Sequence, residues 1–345
     1  MRYLVTGGCG FVGSNITARL LEEGAPVRVL DNLSRTGSVA NLKWLTGLGL
    51  RGFVRGDIRD AAAVGEQVSS FKPDVVLHLA GQVAMATSIS DPRADFEVNA
   101  LGTLNVLEAV REFAPEAAVV YASTNKVYGA LTDVALIEGP TRYTAPSHPT
   151  GIDENAVLDF RTPYGCSKGS ADQYVLDYAR IYGLRTIVLR HSTIYGGRQF
   201  ATSDQGWVGW FCRKALEAQA DSPGSPPFSI SGDGKQVRDL LWIDDAVRCY
   251  LAAAACPIRA RGEAFNIGGG ISNSLSVLEL LQQIQRHIGG RLRFVRKDWR
   301  HHDQKFFVAN GDKAMRLLRW EPRVSKDEGV RLMIEWTEEL MAQQP

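Results

Sequence analysis

Tyr164 and Lys168 stand four residues apart in Tyr164-Gly165-Cys166-Ser167-Lys168, and on a helix that spacing puts a phenol and an ammonium on one face. The pair has an acid–base use. A phenol has an ordinary pKa near 10, and a neighbouring cation favours its ionised form, so such a tyrosine can take a proton near neutral pH. The same spacing also arises as an ordinary surface pair. What argues for chemistry is its place after a β-rich run that ends in Ser123-Thr124. Cys166 lies between the two in sequence, yet on a helix it points elsewhere, which argues against a nucleophilic thiol.

A second group could hold an anion. Thr6-Gly7-Gly8-Cys9-Gly10-Phe11-Val12-Gly13 follows a β-rich run and precedes a helix that begins near Ser14. Glycine permits a tight turn and lets backbone approach a pyrophosphate, whose charge is held by free N–H groups at the helix start. Asp31 ends the next β-rich run, where its carboxylate can accept from both hydroxyls of an adenosine ribose and repel a 2′-phosphate. NAD is therefore favoured over NADP, although Arg35 close by pulls the other way, toward a phosphate. The expected cofactor contacts are Gly7, Gly10, Phe11, Val12 and Gly13 at the turn, with Asp31, Asn32, Ser34 and Arg35 beyond the second run. Asp57 and Ile58 point toward the adenine, and Leu79, Ala80 and Gly81 toward the pyrophosphate or the nicotinamide ribose. Asn99, in a helical stretch, is a further cofactor candidate or a satisfied structural amide. A positive nicotinamide ring beside Tyr164 is a second influence favouring the phenolate.

These groups need a scaffold, and the first 190 residues supply its pattern: short β-rich runs alternate with longer amphipathic stretches. Strands are predicted at Tyr3 to Thr6, Val27 to Asp31, Gly52 to Gly56, Asp74 to Leu79, Ala117 to Ser123 and Thr186 to Arg190, with another at Ala264 to Ile267. The expected class is α/β, a Rossmann-type doubly wound parallel sheet whose ligand lies beyond the carboxyl ends of its strands. After residue 190, glycine- and proline-rich loops separate short helices, which reads as a smaller, mostly C-terminal α/β substrate lobe. The lobes are discontinuous: 1–191 with 240–267 form the NAD-binding lobe, and 192–239 with 268–345 the other. Helices are expected at Asp244 to Ala255, Ser274 to Ile288 and Asp327 to Met341.

Composition narrows the function classes. Lys and Arg number 39 against 38 Asp and Glu, so no broad basic field exists for nucleic acid or an anionic membrane. The longest apolar stretches fall far short of the roughly 20 residues that span a bilayer, and the opening residues run straight into the glycine cluster rather than into a signal peptide. Five cysteines form no CxxC pair, which fits a reducing cytoplasm. His301 and His302 have no third ligand at a recognisable spacing, so no metal is expected.

Thr6-Gly7-x-x-Gly10-x-x-Gly13, Leu77-His78-Leu79-Ala80, Ala122-Ser123-Thr124-x-x-Val127-Tyr128-Gly129, Tyr164-Gly165-x-Ser167-Lys168 and Leu189-Arg190-x-x-x-x-Tyr195-Gly196 together resemble the extended short-chain dehydrogenases and reductases that modify nucleotide sugars. The resemblance covers nearly the whole chain. It implies tightly held NAD, Thr124 as the hydroxyl that bonds the reacting oxygen, Tyr164 as the base and Lys168 on the nicotinamide ribose. Many relatives have Ser where this chain has Thr124, which keeps the hydroxyl. A narrower likeness, to epimerases that invert C2 of a CDP-linked deoxyhexose through a 2-keto sugar, runs through Ser123 to Gly129, Arg142-Tyr143-Thr144, His191 to Ala201 and Asp204 to Phe211. It brings in Asn125, Ser192 and Thr193 as substrate contacts. The alternatives are a 4-epimerase, a 4,6-dehydratase or a non-catalytic NAD-binding sensor or scaffold. A dehydratase usually carries an acidic pair after the hydroxyl residue, and here Asn125-Lys126 stands instead.

On the substrate side, Arg238 follows the turn Gly232-Asp233-Gly234, where a guanidinium's planar donors can grip a diphosphate. Arg300 and Asp303 resemble the family's later Arg-x-x-Asp element, which implies contacts to diphosphate and nucleotide ribose. Thr87, Ser88, Gln199, Gln205 and Trp207 are candidates for the sugar pocket, with loop structure or core packing as the alternative. The family commonly pairs two long helices into a dimer, here Asp95 to Phe113 and Tyr164 to Tyr182, so a homodimer or higher homo-oligomer is expected.

Overall fold

The computed structural model describes residues 1–220, 227–255, 258–289, 292–299 and 303–343. Seven runs form one parallel sheet: β1 (Tyr3–Thr6), β2 (Val27–Asp31), β3 (Gly52–Arg55), β4 (Val75–His78), β5 (Ala118–Thr124), β6 (Arg185–His191) and β7 (Glu263–Ile267). Each lies within one residue of the span its composition predicts. Their order across the sheet is β7-β6-β5-β4-β1-β2-β3, a Rossmann-type doubly wound arrangement.

Side chains alternate across this sheet and build two cores. Val5, Val29, Leu77, Val120 and Leu189 face one layer, with Ile16 and Leu20 of the helix Phe11–Glu22, Leu45 of Ser38–Gly47 and Val247 of Ile243–Ala254. Leu4, Leu30, Val76, Val119 and Val188 face the other, with Val68 of Ala61–Phe71, Val106 and Val110 of Gly102–Phe113 and Val175 of Thr162–Tyr182. Strands buried on both faces read as unbroken apolar runs, and each fully buried side chain of this kind contributes about 1.5–3 kcal/mol.

After β6 the chain enters the smaller lobe. Val237–Trp242 pairs with Thr193–Tyr195, Ser274–Ser276 and Phe306–Phe307, while Phe228–Ser231 pairs with Phe294–Lys297. The helix expected from Ser274 starts instead at Val277. Ser276 caps it, its hydroxyl accepting from the Glu279 N–H at 3.1 Å while the Glu279 carboxylate accepts from the Ser276 N–H at 3.0 Å, and the preceding residues are drawn into strand pairing.

A buried ionic network joins the layers behind the site. Arg190 on β6 donates to Asp172 of the helix Thr162–Tyr182 through Nε (3.0 Å) and Nη2 (2.8 Å). Ser123 donates to the same carboxylate at 2.7 Å. Arg190 Nη1 reaches the Tyr128 hydroxyl at 2.9 Å, which in turn donates to Asn266 on β7 at 2.7 Å. Among the described residues no helix is long and apolar enough to cross a membrane.

Candidate active site

Beyond the carboxyl ends of the sheet strands lies a cleft of about 510 Å³. Its floor is the turn after β1. Gly7 has φ +70°, a conformation L side chains rarely adopt, and a Cβ there would lie 2.6 Å from the Ala80 nitrogen. The helix Phe11–Glu22 starts with Gly10 as N-cap, no capping side chain and no acid in its first turn, so among the described residues no cap competes for its free N–H groups. Asp31 is buried, its carboxylate accepting from the Cys9 N–H (2.9 Å) and the Leu33 N–H (2.7 Å). Burial pushes its pKa up while those two bonds pull it down. Asp57 accepts from Arg59 and from Asn32 (2.9 Å), and these bonds, led by Arg59, hold it down to about 2. An uncapped helix start beside a glycine turn, with a fixed carboxylate at the next strand end, fits a dinucleotide.

Phe11, Val12, Gly13, Ser34, Ile58, Leu79, Ala80 and Gly81 line the same cleft. Arg35 lines it too, but its guanidinium donates to the Gln205 side chain. Asn99 does not line it. Buried in a π-helical turn, Glu97–Leu101, its amide is spent on Gln82, Asp95 and Ser167, so it holds the backbone behind Gly81 rather than facing a ligand.

Tyr164 and Lys168 do fall on one face of the helix Thr162–Tyr182, with Ser167, Ala171, Asp172 and Val175. Cys166 is exposed on another face. Thr124, at the end of β5, lines the same cleft as Tyr164, and its hydroxyl donates to the Asn125 side chain at 3.4 Å. Burial pushes the Tyr164 phenol up to about 12, against the pull of Thr124 and Arg35, and Asp95 adds to the rise. Lys168 is not among the groups that lower it, so of the two influences expected to favour the phenolate the nicotinamide charge is the one left to do so. Lys168 is as buried: its Nζ donates to the Ala122 carbonyl at 2.5 Å and lies 4.3 Å from the centre of the Tyr121 ring. Burial lowers its pKa to about 7, while Asp172 and Asp95 draw it back up.

The substrate candidates divide. Ser192, Thr193, Gln199, Gln205 and Trp207 line the cleft, with the Trp207 indole N–H donating to the Thr193 hydroxyl at 3.2 Å. Gln199 keeps a buried carbonyl oxygen with no partner among the described residues. Thr87 is exposed on the short helix Met85–Ser90, and Ser88 is buried with its hydroxyl on the Met85 carbonyl at 2.8 Å, so neither reaches the cleft. Asn125 turns away to donate to Gln304 at 2.9 Å. Arg238 sits within a strand rather than in a loop, and donates to Asp303 at 2.7 Å, where Lys126 also converges at 3.3 Å. Arg300, His301 and His302 lie outside the described residues, among which no three His, Cys, Asp or Glu side chains gather to hold a metal. Sequence reasoning missed His191, Arg198 and Phe200 as cleft residues. For His191 the signal was its place at a strand's carboxyl end; for Phe200, which packs on Gly37 far away in sequence, no local signal exists.

Residues 3–268 match the model of the NAD dependent epimerase/dehydratase family. The chain belongs to that family. NAD is its cofactor. Over 98% of its length it is 52% identical to 99% of the CDP-paratose 2-epimerase of Salmonella typhi. Among solved structures, it is similar to the UDP-glucose 4-epimerase of Thermotoga maritima with UDP-glucose, at TM-score 0.82 and 32% identity over 99% of this chain and 100% of that one. It is likewise similar to the UDP-glucose 4-epimerase of Thermus thermophilus in complex with NAD, at TM-score 0.80 and 30% identity over 98% and 99%.

In this epimerase/dehydratase, the buried lysine has a consequence for stability. An unfolded chain keeps the Lys168 proton up to its ordinary value near 10.5, whereas the folded protein releases it near 7. Between those limits the unfolded state binds more protons, so this group makes stability rise with pH. Lys168→Met is expected to remove that contribution, at most about 1.4 kcal/mol per pH unit. Urea unfolding of both cofactor-free proteins at pH 7, 8 and 9 measures it, and parallel slopes would contradict the desolvated ammonium.

Proposed function

We propose that the enzyme inverts C2 of a CDP-linked deoxyhexose, interconverting CDP-paratose and CDP-tyvelose through a 2-keto sugar. The observation that carries this is the 52% identity, spread over 98% of the chain, with a protein named for 2-epimerisation. Asn125-Lys126 directly after Thr124 also speaks against loss of water from the sugar.

Bound NAD supplies a hydride acceptor and a positive ring charge, and it is retained between turnovers. The glycine turn and the Phe11–Glu22 helix start hold its pyrophosphate, Asp31 its adenosine ribose and Lys168 its other ribose. Tyr164 takes the C2 hydroxyl proton through its phenol oxygen and returns a proton when the alcohol re-forms. Thr124 bonds the same sugar oxygen and keeps it against the phenol. Between the two steps the keto sugar must present its other face, within the part of the cleft lined by Ser192, Thr193, Gln199, Gln205 and Trp207. Arg238 and Asp303, with Arg300, are assigned to the diphosphate and nucleoside of the substrate.

The test uses the purified protein with CDP-, UDP- and GDP-hexoses in deuterated water without added NAD, followed by proton NMR. Inversion at C2 with the C2 hydrogen retained is the expected result. Deuterium at C2 would replace hydride return by proton abstraction from carbon, inversion at C4 would make the enzyme a 4-epimerase, and no turnover of any donor would leave a sensor or scaffold.

Two lesser assignments accompany this one. Residues 1–191 with 240–267 act as the cofactor lobe and 192–239 with 268–345 as the nucleotide-sugar lobe, in a reducing cytoplasm that suits the free thiols of Cys9, Cys166, Cys212 and Cys249. Exposed Leu101, Tyr174, Ile181 and Tyr182 support pairing of two copies through residues 95–113 and 164–182. Sedimentation at micromolar concentration should give a dimer or larger; a monomer alone would end that assignment.

A further inference from the structure

Two histidines, His78 fully buried and His191 half-buried, lie near Lys168, and they differ in a second respect. His78 has both ring nitrogens engaged, Nδ1 with the Thr6 hydroxyl at 2.7 Å and Nε2 with the Thr103 hydroxyl at 3.0 Å. His191, at the end of β6, lines the cleft and, among the described residues, has only Nε2 engaged, 2.8 Å from the Tyr250 hydroxyl. Tyr250 is fully buried and has no other hydrogen-bond partner among the described residues.

That geometry settles the tautomer. If Nε2 donated, the phenol's own hydrogen would be stranded in the core without an acceptor, whereas a phenol that donates leaves nothing unpaired. Tyr250 is therefore the donor, Nε2 the acceptor, and the ring hydrogen sits on Nδ1. Nδ1 has no partner among the described residues and is not among the enclosed polar atoms without one, so its N–H opens on the cleft. Burial, helped by the Lys168 charge, holds the ring pKa down to about 3, so the imidazole stays a neutral donor at any working pH.

Strand order says what this donor meets. Asp31 ends β2 and the free helix start follows β1, so a dinucleotide whose adenosine and pyrophosphate lie there continues over β4 and β5, ending at β6. His191 is the register partner of Thr124 across β5 and β6. We propose that the His191 Nδ1–H donates to the carboxamide oxygen of the nicotinamide and fixes which ring face is turned to the sugar, with Tyr250 as the positioning residue that holds the tautomer. The proposal rests on NAD as cofactor and not on which sugar is used.

The holoenzyme labelled with nitrogen-15 histidine tests it, the His191 signals being assigned by their loss in His191→Leu. Expected are a proton on Nδ1 and a bare Nε2 from pH 6 to 9, and both tautomers in Tyr250→Phe. Exchange of bound NAD against labelled NAD should run roughly three- to tenfold faster in His191→Leu, the effect of one neutral hydrogen bond, and His191→Asn, which restores an N–H donor, should recover part of it. A proton found on Nε2 overturns the proposal, as does unchanged exchange in a folded His191→Leu protein. If the Leu variant does not fold, Tyr250→Phe and the wild-type spectrum carry the test. C2 inversion that survives with unchanged exchange would discard His191 while leaving the reaction intact.

Discussion

Tyr164→Phe is expected to keep the fold and the bound NAD and to lose turnover by roughly 10²- to 10⁴-fold, the usual worth of a positioned proton acceptor. The substitution removes one oxygen from a ring that is otherwise packed on the buried face of the Thr162–Tyr182 helix, so it opens no large cavity. The magnitude follows from the phenol's surroundings. Burial holds the phenol up to about 12, and the charges that arrive with the ligands must favour its ionised form. The loss should therefore appear in kcat, with KM for the sugar nucleotide and NAD content little changed. Thr124→Ser should remain active because the hydroxyl survives, and Thr124→Val should fall between wild type and Tyr164→Phe. A Tyr164→Phe enzyme within tenfold of wild type would mean that another group takes the proton.

The second large effect concerns stability. Asp172→Ala is expected to destabilise the protein by about 3–5 kcal/mol, because it leaves the Arg190 guanidinium charged and buried with no counter-ion. The pair is all but excluded from solvent, with side-chain exposures of 4% and 0%, and Ser123 would lose its acceptor in the same change. Breaking an exposed pair such as Arg331 with Glu328 should barely move the unfolding midpoint, because water and salt screen it. Urea midpoints compare the two directly. Combining Asp172→Leu with Arg190→Met should recover much of the loss, since a buried ion pair is not itself a large source of stability; a double variant as weak as Asp172→Ala would assign the loss to packing instead.

How far the sequence could be read depended on how local each signal was. The sheet strands were legible because a strand buried on both faces, such as Val75–His78, is an apolar run whatever its neighbours are. Gly7, Asp31, Thr124 and Tyr164 were legible as one group because the carboxyl ends of parallel strands converge on a single edge. The substrate side resisted. Arg238 follows a turn in sequence, but its surroundings are set by Asp303, 65 residues away, and Asn125 is turned from the cleft by Gln304, 179 residues away. The rise of the Tyr164 pKa was not legible for a related reason: helical spacing says who is adjacent, whereas burial, the largest cause of the rise, belongs to the whole fold.

The last sheet strand has a consequence for biosynthesis. β7 pairs along its own full length with β6, from Glu263 opposite Ile187 to Ile267 opposite His191, yet it is made only after the intervening stretch of some 70 residues. On a ribosome adding about 5 to 20 residues per second, the outer edge of β6 waits roughly 4 to 14 seconds for its partner. During that interval the nascent lobe presents an unpaired apolar strand, the kind of template that invites pairing with another chain.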